Sequence, residues 1–200
     1  MSKFIKTERR WVSKQPSASN VDEQPTGRCV NSLKSWTGKT RTTIIYDSVV
    51  DEFTRDGLFE KVKGKPNIAV IGFTTDGDVF GGFYSVAVTE QEEGFNDPNM
   101  FVFSFESHGR CETPQRFVVS EEVKGSVSVT FLKDDDWGFV ALGVAGVGCF
   151  FLGNETHNSY CFGLSRTFEG LENTTLTGKT GHSWTGPYHH CTRLVAVQLS

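Results

Sequence analysis

The sequence predicts a mainly β domain, either an all-β sandwich or a β-rich α+β domain. Many short apolar runs are separated by turn residues, and only one or two segments have helical spacing. The chain also carries 17 Phe and 21 Gly against 4 Tyr, which suits a sheet-rich core with many turns. Its 200 residues are enough for one domain with a sizeable core.

The predicted strands follow one another at turn-separated intervals from residue 42 to the C-terminus. The run NIAVIGF is apolar throughout, so it predicts a strand that is buried on both faces. The strand candidates are TTIIYDSV (42–49), NIAVIGF (67–73), VFGGFYSVAV (79–88), MFVFSF (100–105), RFVVS (116–120), SVSVTFL (126–132), GFVALGV (138–144), GCFFLG (148–153), YCFGL (160–164) and CTRLVAVQL (191–199).

One short helix is predicted over RDGLFEKVKG, residues 55–64. Leu58, Phe59 and Val62 recur at helical spacing and indicate the buried face. Gly64 is the expected end of the helix, because glycine adopts the left-handed conformation that terminates helices.

The stretch TTDGDVFGGF, residues 74–83, predicts a hairpin. Asp76 and Gly77 indicate a two-residue type I′ turn with positive φ at both positions. The two glycines after Phe80 indicate a bulge or the close approach of a neighbouring backbone. A regular strand would place Phe80 and Phe83 on opposite faces, so we expect a bulge to bring both into the core.

Residues 1–30 predict a flexible, locally basic arm, and residues 31–200 predict the folded domain. The segment SKQPSASNVDEQPTGR is polar and contains proline, so it has little to bury. A solvated tail and a contact arm for nucleic acid or a protein partner are both consistent with this composition. The candidate contact residues are Lys3, Lys6, Arg9, Arg10, Trp11 and Lys14.

Charge and cysteine content indicate the compartment. The formal net charge of −4 provides no overall field that would attract nucleic acid or an acidic membrane. Five cysteines, an odd number without a CxxC pair, favour a reducing cytoplasm or nucleus. The N-terminus lacks the apolar segment of a signal peptide, and the apolar stretch 139–153 is too short and too glycine-rich to predict a membrane span.

Phosphate-binding motifs are not completed. TGKT occurs at 37–40 and at 177–180, but Leu33 and Asn173 stand where a Walker A loop needs glycine. GVAGVG, residues 143–148, reverses the spacing of the dinucleotide-binding loop and predicts two strands joined by glycines. A nucleotide pocket outside these motifs is a further alternative.

Metal-binding and catalytic patterns also remain incomplete. A calcium loop that began at Asp76 would place Phe80 and Ala87 at positions that need oxygen ligands. The acidic cluster 134–138 predicts a solvated turn or a weak cation site. Adjacent strand residues face opposite ways, so His190 and Cys191 are not expected to share an ion. The sequence therefore predicts no catalytic, cofactor-binding or metal-binding residues. The metal-capable residues in this region are His182, His189, His190 and Cys191.

Cys191 is the candidate redox-sensitive residue, because two histidines precede it and a reactive thiol needs an environment that favours the thiolate. Cys149 and Cys161 lie in apolar runs and are expected to be buried.

Several motifs together resemble the TLDc domain family. The segment IIYDSVVDEFTRDGLFEKVKGKPNIAVIGFTTDGDVFGGFYS, residues 44–85, is similar to the front half of that domain and is followed by MFVFSFESHG. The block RTFEGLENTTLTGKTG and the closing RLVAVQLS are similar to its end. The likeness covers roughly residues 33–200 and is weakest over about 106–140. The matching steps are Tyr46 to Ser48, Asp56 with Gly57, Asp76 with Gly77, and Phe80 to Phe83.

The resemblance implies a sandwich of two antiparallel β-sheets flanked by a few short helices. It also implies a role in protection against oxidative stress and, in some members, binding to the vacuolar proton-pumping ATPase. The family has no agreed catalytic residues. The first hypothesis is therefore a non-enzymatic regulatory module that binds a protein partner. The alternative is a DNA-binding transcriptional regulator that uses the basic arm and responds to stress or redox state, and a third hypothesis is a cysteine switch at Cys191.

Overall fold

A computed structural model describes residues 25–133, 138–154, 159–179 and 188–200. Within these ranges the chain forms two α-helices, eleven strands and two short 3₁₀ helices. The α-helices are α1 (Pro25–Thr37) and α2 (Arg55–Val62), and the 3₁₀ helices are Glu121–Val123 and Leu164–Arg166. The strands are β1 (Thr42–Asp47), β2 (Ile68–Thr74), β3 (Val79–Tyr84), β4 (Phe95–Asn96), β5 (Phe101–Glu106), β6 (Gln115–Val118), β7 (Ser128–Phe131), β8 (Val140–Val144), β9 (Gly148–Leu152), β10 (Cys161–Phe162) and β11 (Cys191–Leu199).

The strands form two antiparallel sheets that pack face to face. The six-stranded sheet has the order β1-β11-β2-β3-β5-β6, and the five-stranded sheet has the order β10-β9-β8-β7-β4. The last strand of the chain is inserted between β1 and β2, so both ends of the domain meet in one sheet. The predicted sandwich of two antiparallel sheets with flanking helices is confirmed.

The main core lies between the inner faces of the two sheets. Phe80 of β3 meets Phe150 of β9 edge to face, with ring centroids 5.9 Å apart. Helix α2 closes one side of this core with Leu58, Phe59 and Val62, all buried. The helical spacing of these three residues predicted α2, and the prediction is confirmed.

Local hydrogen bonds set both ends of α2. The Thr54 hydroxyl accepts a hydrogen bond from the backbone N–H of Gly57, which satisfies one of the free donors at the start of the helix. Lys63 caps the other end, and Gly64 then takes a φ of +70°, as expected of a glycine that ends a helix.

A second core covers the outer face of the six-stranded sheet. Helix α1 lies there and packs Leu33 and Trp36 on Phe101, Phe103 and neighbouring side chains. Strand β2 is therefore covered on both faces, as its continuous apolar run predicted. Helix α1 begins at Pro25, inside the segment that the sequence indicated as an arm.

The bulge that was predicted at Gly81 and Gly82 does not occur. Strand β3 pairs with β2 in unbroken register from Val79 to Tyr84, so Phe80 faces the main core and Phe83 faces the outer cluster. Both rings are buried, because the sheet is covered on both sides. The register of β3 shifts only where it pairs with β5. That shift lies between Val79 and Phe80, before the two glycines.

The close approach that was predicted at these glycines is confirmed. A Cβ on Gly81 would lie 2.0 Å from the carbonyl oxygen of Val70. A Cβ on Gly82 would lie 2.6 Å from Leu142 and 2.9 Å from the Phe150 ring, which belong to the facing sheet. Glycine at position 82 therefore sets how closely the two sheets approach.

The turn between β2 and β3 also differs from the predicted type I′. Gly77 has a φ of +87°, but Asp76 does not take a positive φ. The Gly77 N–H donates to the Thr74 carbonyl (3.1 Å), and the Thr74 N–H donates to the Asp78 carbonyl (3.0 Å). The loop is therefore three residues long and needs only one left-handed position, which glycine fills.

The predicted hairpin at residues 143–148 is confirmed, because β8 and β9 pair directly across it. No helix within the described ranges is long and apolar enough to cross a membrane.

Candidate protein-binding site

A groove lies on the outer face of the six-stranded sheet, where the end of α1 meets β5 and the edge strand β6. Its volume is about 480 Å³. Phe83 and Phe101 form the floor, with stacked rings whose centroids are 4.9 Å apart. Trp36 forms one wall and meets Phe101 edge to face at 6.1 Å. We call this feature the Trp36 groove.

The sequence folds into an aromatic floor here because β5 alternates strictly. Phe101, Phe103 and Phe105 lie two residues apart, so all three rings point to the outer face. Trp36 stacks on Phe105 with ring planes only 4° from parallel and centroids 5.7 Å apart. Trp36 of helix α1 thus contacts all three rings of the row, and the Trp36 groove opens beside Phe101.

Arg116 connects the floor of the groove to the helix. Its guanidinium lies 5.7 Å from the centre of the Phe101 ring and donates a hydrogen bond to the carbonyl oxygen of Trp36. Arginine has five N–H donors, so donors remain for another molecule. Arg116 and Val118 alternate along β6 and are both exposed on the outer face, whereas Phe117 between them is buried in the main core.

The rim of the groove carries mixed charge and several amide and hydroxyl groups. Lys124 pairs with Glu121, while Glu169 supplies a second carboxylate. Groups of this kind fix the orientation of a bound polypeptide, and the aromatic floor supplies apolar contact. The polar rim residues include Lys39, Asn67, Ser85, Asn99, Arg116 and Lys124.

The described lining of the groove contains neither histidine nor cysteine, whereas it does contain Ser85 and the carboxylates of Glu121 and Glu169. The groove thus combines an apolar floor with a polar, charged rim. Sequence reasoning did not find this site. The spacing of Val30, Leu33 and Trp36, followed by Gly38, is the helical signal that could have placed α1 over the sheet.

The hairpin turn between β2 and β3 takes part in a charged cluster at another place on the domain. Asp78 is buried and forms an ion pair with Arg110. Arg110 also donates to the carbonyl oxygens of Thr175 (3.0 Å) and Leu176 (3.1 Å). One arginine therefore links the turn, the loop after β5 and the segment before residue 180.

Asp76 in the same turn has two further partners. Lys179 donates a hydrogen bond to its carboxylate and, with its positive charge, lowers the pKa of Asp76. The His108 Nε2 lies 2.7 Å from the Asp76 carbonyl oxygen and 3.8 Å from the Asp78 carboxylate. All these contacts join segments of the chain, so the cluster acts as a structural brace.

Cys191 does not lie in the environment that the redox hypothesis requires. Its side chain is fully buried in the main core, and burial raises the pKa of its thiol to about 12, although hydrogen bonds from Gly153 and Ser159 oppose that rise. The thiolate is therefore disfavoured and shielded from solvent. Cys149 and Cys161 are also buried, as predicted.

Cys111 is the one partly exposed cysteine among the five, all of which lie in the described ranges. It lines a cleft of about 330 Å³ together with Arg110, Gln115 and Glu172. The sequence did not distinguish Cys111, because its exposure depends on the loop between β5 and β6.

The histidines near the C-terminus separate as the alternation rule predicted. His190 is exposed, whereas Cys191 next to it is buried. His189 is buried against the Phe80 ring, with centroids 5.2 Å apart, and its Nε2 has no hydrogen-bond partner among the residues that the structure describes. Desolvation lowers the pKa of His189 to about 3, and the nearby charges of Lys179 and His190 act in the same direction.

Some of the predicted sites lie outside the described residues. These are the arm residues, the acidic positions 134–136 and His182. Within the described ranges, no group of three or more His, Cys, Asp or Glu side chains is arranged to hold a metal ion. The arm residues in question are Lys3, Lys6, Arg9, Arg10, Trp11 and Lys14.

Comparison with known proteins adds one finding. The family model described as the TLDc domain matches residues 21–182 of the 200-residue chain. The match includes α1 and the residues that form the Trp36 groove. No curated protein matches the chain.

Proposed function

The chain belongs to the TLDc domain family, and we propose that it is a non-enzymatic regulatory module that binds a protein partner through the Trp36 groove. The observation that carries this proposal is the juxtaposition of Trp36, Phe101 and Arg116. Tryptophan and arginine are the residues that most often dominate the binding energy of protein interfaces. Here they lie together beside an apolar floor, and Arg116 is exposed.

The chemistry of the groove supports recognition without catalysis. Its rim offers Lys39, Arg116 and Lys124 against the carboxylates of Glu121 and Glu169, which suits a polar segment that carries at least one acidic side chain. The charged cluster at Asp78 is a poor reaction centre, because its groups already bond to one another and to backbone carbonyls.

We propose the vacuolar proton-pumping ATPase as the partner and protection against oxidative stress as the setting. Family membership supports both, since some TLDc proteins act in this way.

We also propose a cytoplasmic or nuclear location. In support, none of the five cysteines, all of which are described, forms a disulfide, as expected in a reducing compartment.

Affinity capture from peroxide-treated and untreated cells tests the partner. The tagged full chain should recover subunits of the vacuolar ATPase, and a chain that carries Trp36→Ala should recover much less. The absence of ATPase subunits in both conditions would contradict the proposed partner.

A gel-shift experiment distinguishes the partner-binding proposal from the alternative, which is DNA binding through the basic arm. Phosphate contacts release counterions, so binding through the arm would weaken steeply with added salt. A salt-sensitive shift that is lost on removal of residues 1–20 would support the alternative. The partner-binding proposal expects no such shift.

A further inference from the structure

The loop between β5 and β6 leads into the strand through the pattern Thr113-Pro114-Gln115-Arg116. The chain has six prolines, and Pro114 is the only one that follows a serine or a threonine. Proline-directed protein kinases recognise this dipeptide, because proline has no N–H that an apolar pocket would leave unpaired. Many of them also favour a basic side chain two residues after the proline, where it forms an ion pair. The loop therefore contains both features that a kinase of this class recognises.

The fold presents this pattern to solvent. Residues 112–116 are all exposed, whereas Phe117, which follows them, is buried in the main core. Among the residues that the structure describes, neither the backbone nor the side chains of residues 112–114 form a hydrogen bond. The Thr113 hydroxyl is thus accessible and uncommitted in the folded chain.

The local backbone also suits a kinase, which binds its substrate as an extended segment. The residue before a proline is largely confined to the extended region, and Thr113 is such a residue. Gln115 and Arg116 are already extended, as the first residues of β6. Gln115 pairs with Ser104 at the end of the β5–β6 ladder, where strands separate at the lowest free energy. The pattern can therefore enter a kinase with only a small opening of the sheet.

We propose that Thr113 is a phosphorylation site for a proline-directed serine/threonine kinase. The Thr113 Oγ attacks the γ-phosphorus of magnesium-bound ATP, and the new P–O bond forms as the bond to the departing ADP breaks. The hydroxyl proton passes to the catalytic aspartate of the kinase. The phosphothreonine carries a charge of about −1.5 to −2 at neutral pH and three acceptor oxygens.

Arg116 connects this site to the Trp36 groove. It is the basic residue of the pattern, and its guanidinium lies over the Phe101 ring and donates to the Trp36 carbonyl. No carboxylate among the described residues pairs with it. Three residues span at most about 11 Å, so a phosphate on Thr113 lies within reach of the guanidinium. Arginine binds phosphate through two parallel hydrogen bonds, which favours this contact.

Phosphorylation therefore draws Arg116 away from the groove and toward the phosphate. The groove loses a cation and gains negative charge nearby, and both changes disfavour a partner segment that carries an acidic side chain. This consequence rests on the proposed function of the groove, whereas the phosphorylation itself does not.

Incubation of the folded full chain with a purified cyclin-dependent kinase and magnesium ATP tests the site. Mass spectrometry should find one phosphate per chain, at Thr113, and Pro114→Ala should lower the rate at least about tenfold. Pro66→Ala is the matched control, because Pro66 is also exposed but follows a lysine. Absence of phosphate at Thr113, or the same rate in the two variants, would overturn the proposal.

Phosphorus NMR of the phosphorylated chain tests the contact with Arg116 without any partner. The guanidinium should hold the second pKa of the phosphate about 0.5 below its value in phosphorylated Arg116→Gln. That variant keeps the Thr-Pro step, so a longer incubation still phosphorylates it. Equal pKa values in the two proteins would overturn the contact.

Binding to the purified vacuolar ATPase tests the regulation. The phosphorylated chain should bind at least about tenfold more weakly than the unmodified chain. Equal binding of the two forms would overturn the regulation. An unmodified chain that does not bind would contradict the proposed partner alone, because the kinase assay and the NMR titration still decide the site and its contact with Arg116.

Discussion

Arg110 and Asp78 form an ion pair between the loop that follows β5 and the turn that joins β2 to β3. The Asp78 side chain is only 2% exposed, and the Arg110 guanidinium donates a hydrogen bond to its carboxylate. The stretch that looks most like a ligand loop in the sequence is thus held by contacts within the chain. Its aspartates bond to other segments of the chain and thereby brace the fold.

Replacement of Arg110 by methionine should destabilise the domain by about 3 kcal/mol, because it leaves the buried Asp78 carboxylate without its partner. Urea denaturation measures the change in the free energy of unfolding. Lys124→Met, which breaks an exposed pair with Glu121, should cost no more than about 0.5 kcal/mol. Equal losses in the two variants would show that the Asp78 pair is not buried as described.

Substitution of Gly82 by alanine should cost about 1–3 kcal/mol, because the added methyl group would overlap Leu142 and Phe150 of the facing sheet. Gly125→Ala is the matched control, since no atom lies within 4 Å of the position of its Cβ. Thermal unfolding of the two variants tests the closeness of the sheets. A Gly82→Ala protein as stable as the Gly125→Ala protein would contradict the described packing.

Acid should destabilise the domain through His189. Its pKa is about 3 in the folded chain, against an ordinary value of 6.5. Between these values the unfolded chain binds a proton that the folded chain rejects, so stability falls as the pH is lowered. The limiting slope is about 1.4 kcal/mol per pH unit.

Urea denaturation at a series of pH values measures this slope, and His189→Phe should remove its contribution. The exposed neighbour provides the comparison, because His190→Gln should leave the slope unchanged. A slope that survives in His189→Phe would mean that other groups cause the acid sensitivity.

Cysteine labelling should distinguish Cys111 from Cys191. Cys111 is partly exposed, so it should react with iodoacetamide or mild peroxide in the folded chain. Cys191 is fully buried and should react only when urea unfolds the chain. Mass spectrometry of the digested protein reads both sites. Early modification of Cys191 in native buffer would revive the redox hypothesis at that residue.

Sequence periodicity predicted the parts of the fold whose signals are local. The helical spacing of Leu58, Phe59 and Val62 identified α2, and the apolar run of β2 indicated burial on both faces. The prediction of a bulge between Phe80 and Phe83 was wrong, and its failure has a physical reason. The prediction assumed one buried face, whereas α1 covers the other face of the sheet.

The Trp36 groove could not be predicted in the same way. Its three main residues, Trp36, Phe101 and Arg116, lie on three different elements and meet only when α1 packs over β5 and β6. Neither spacing nor composition carries that contact.

The most direct test of the central claim is the affinity of the purified chain for the purified vacuolar ATPase. Arg116→Glu reverses the charge at the Trp36 groove, and Arg166→Glu makes the same change at an exposed arginine that does not line the groove. We predict that the unmodified chain and Arg166→Glu bind equally, and that Arg116→Glu binds at least about tenfold more weakly. No binding by the unmodified chain, or the same affinity for all three proteins, would contradict the account.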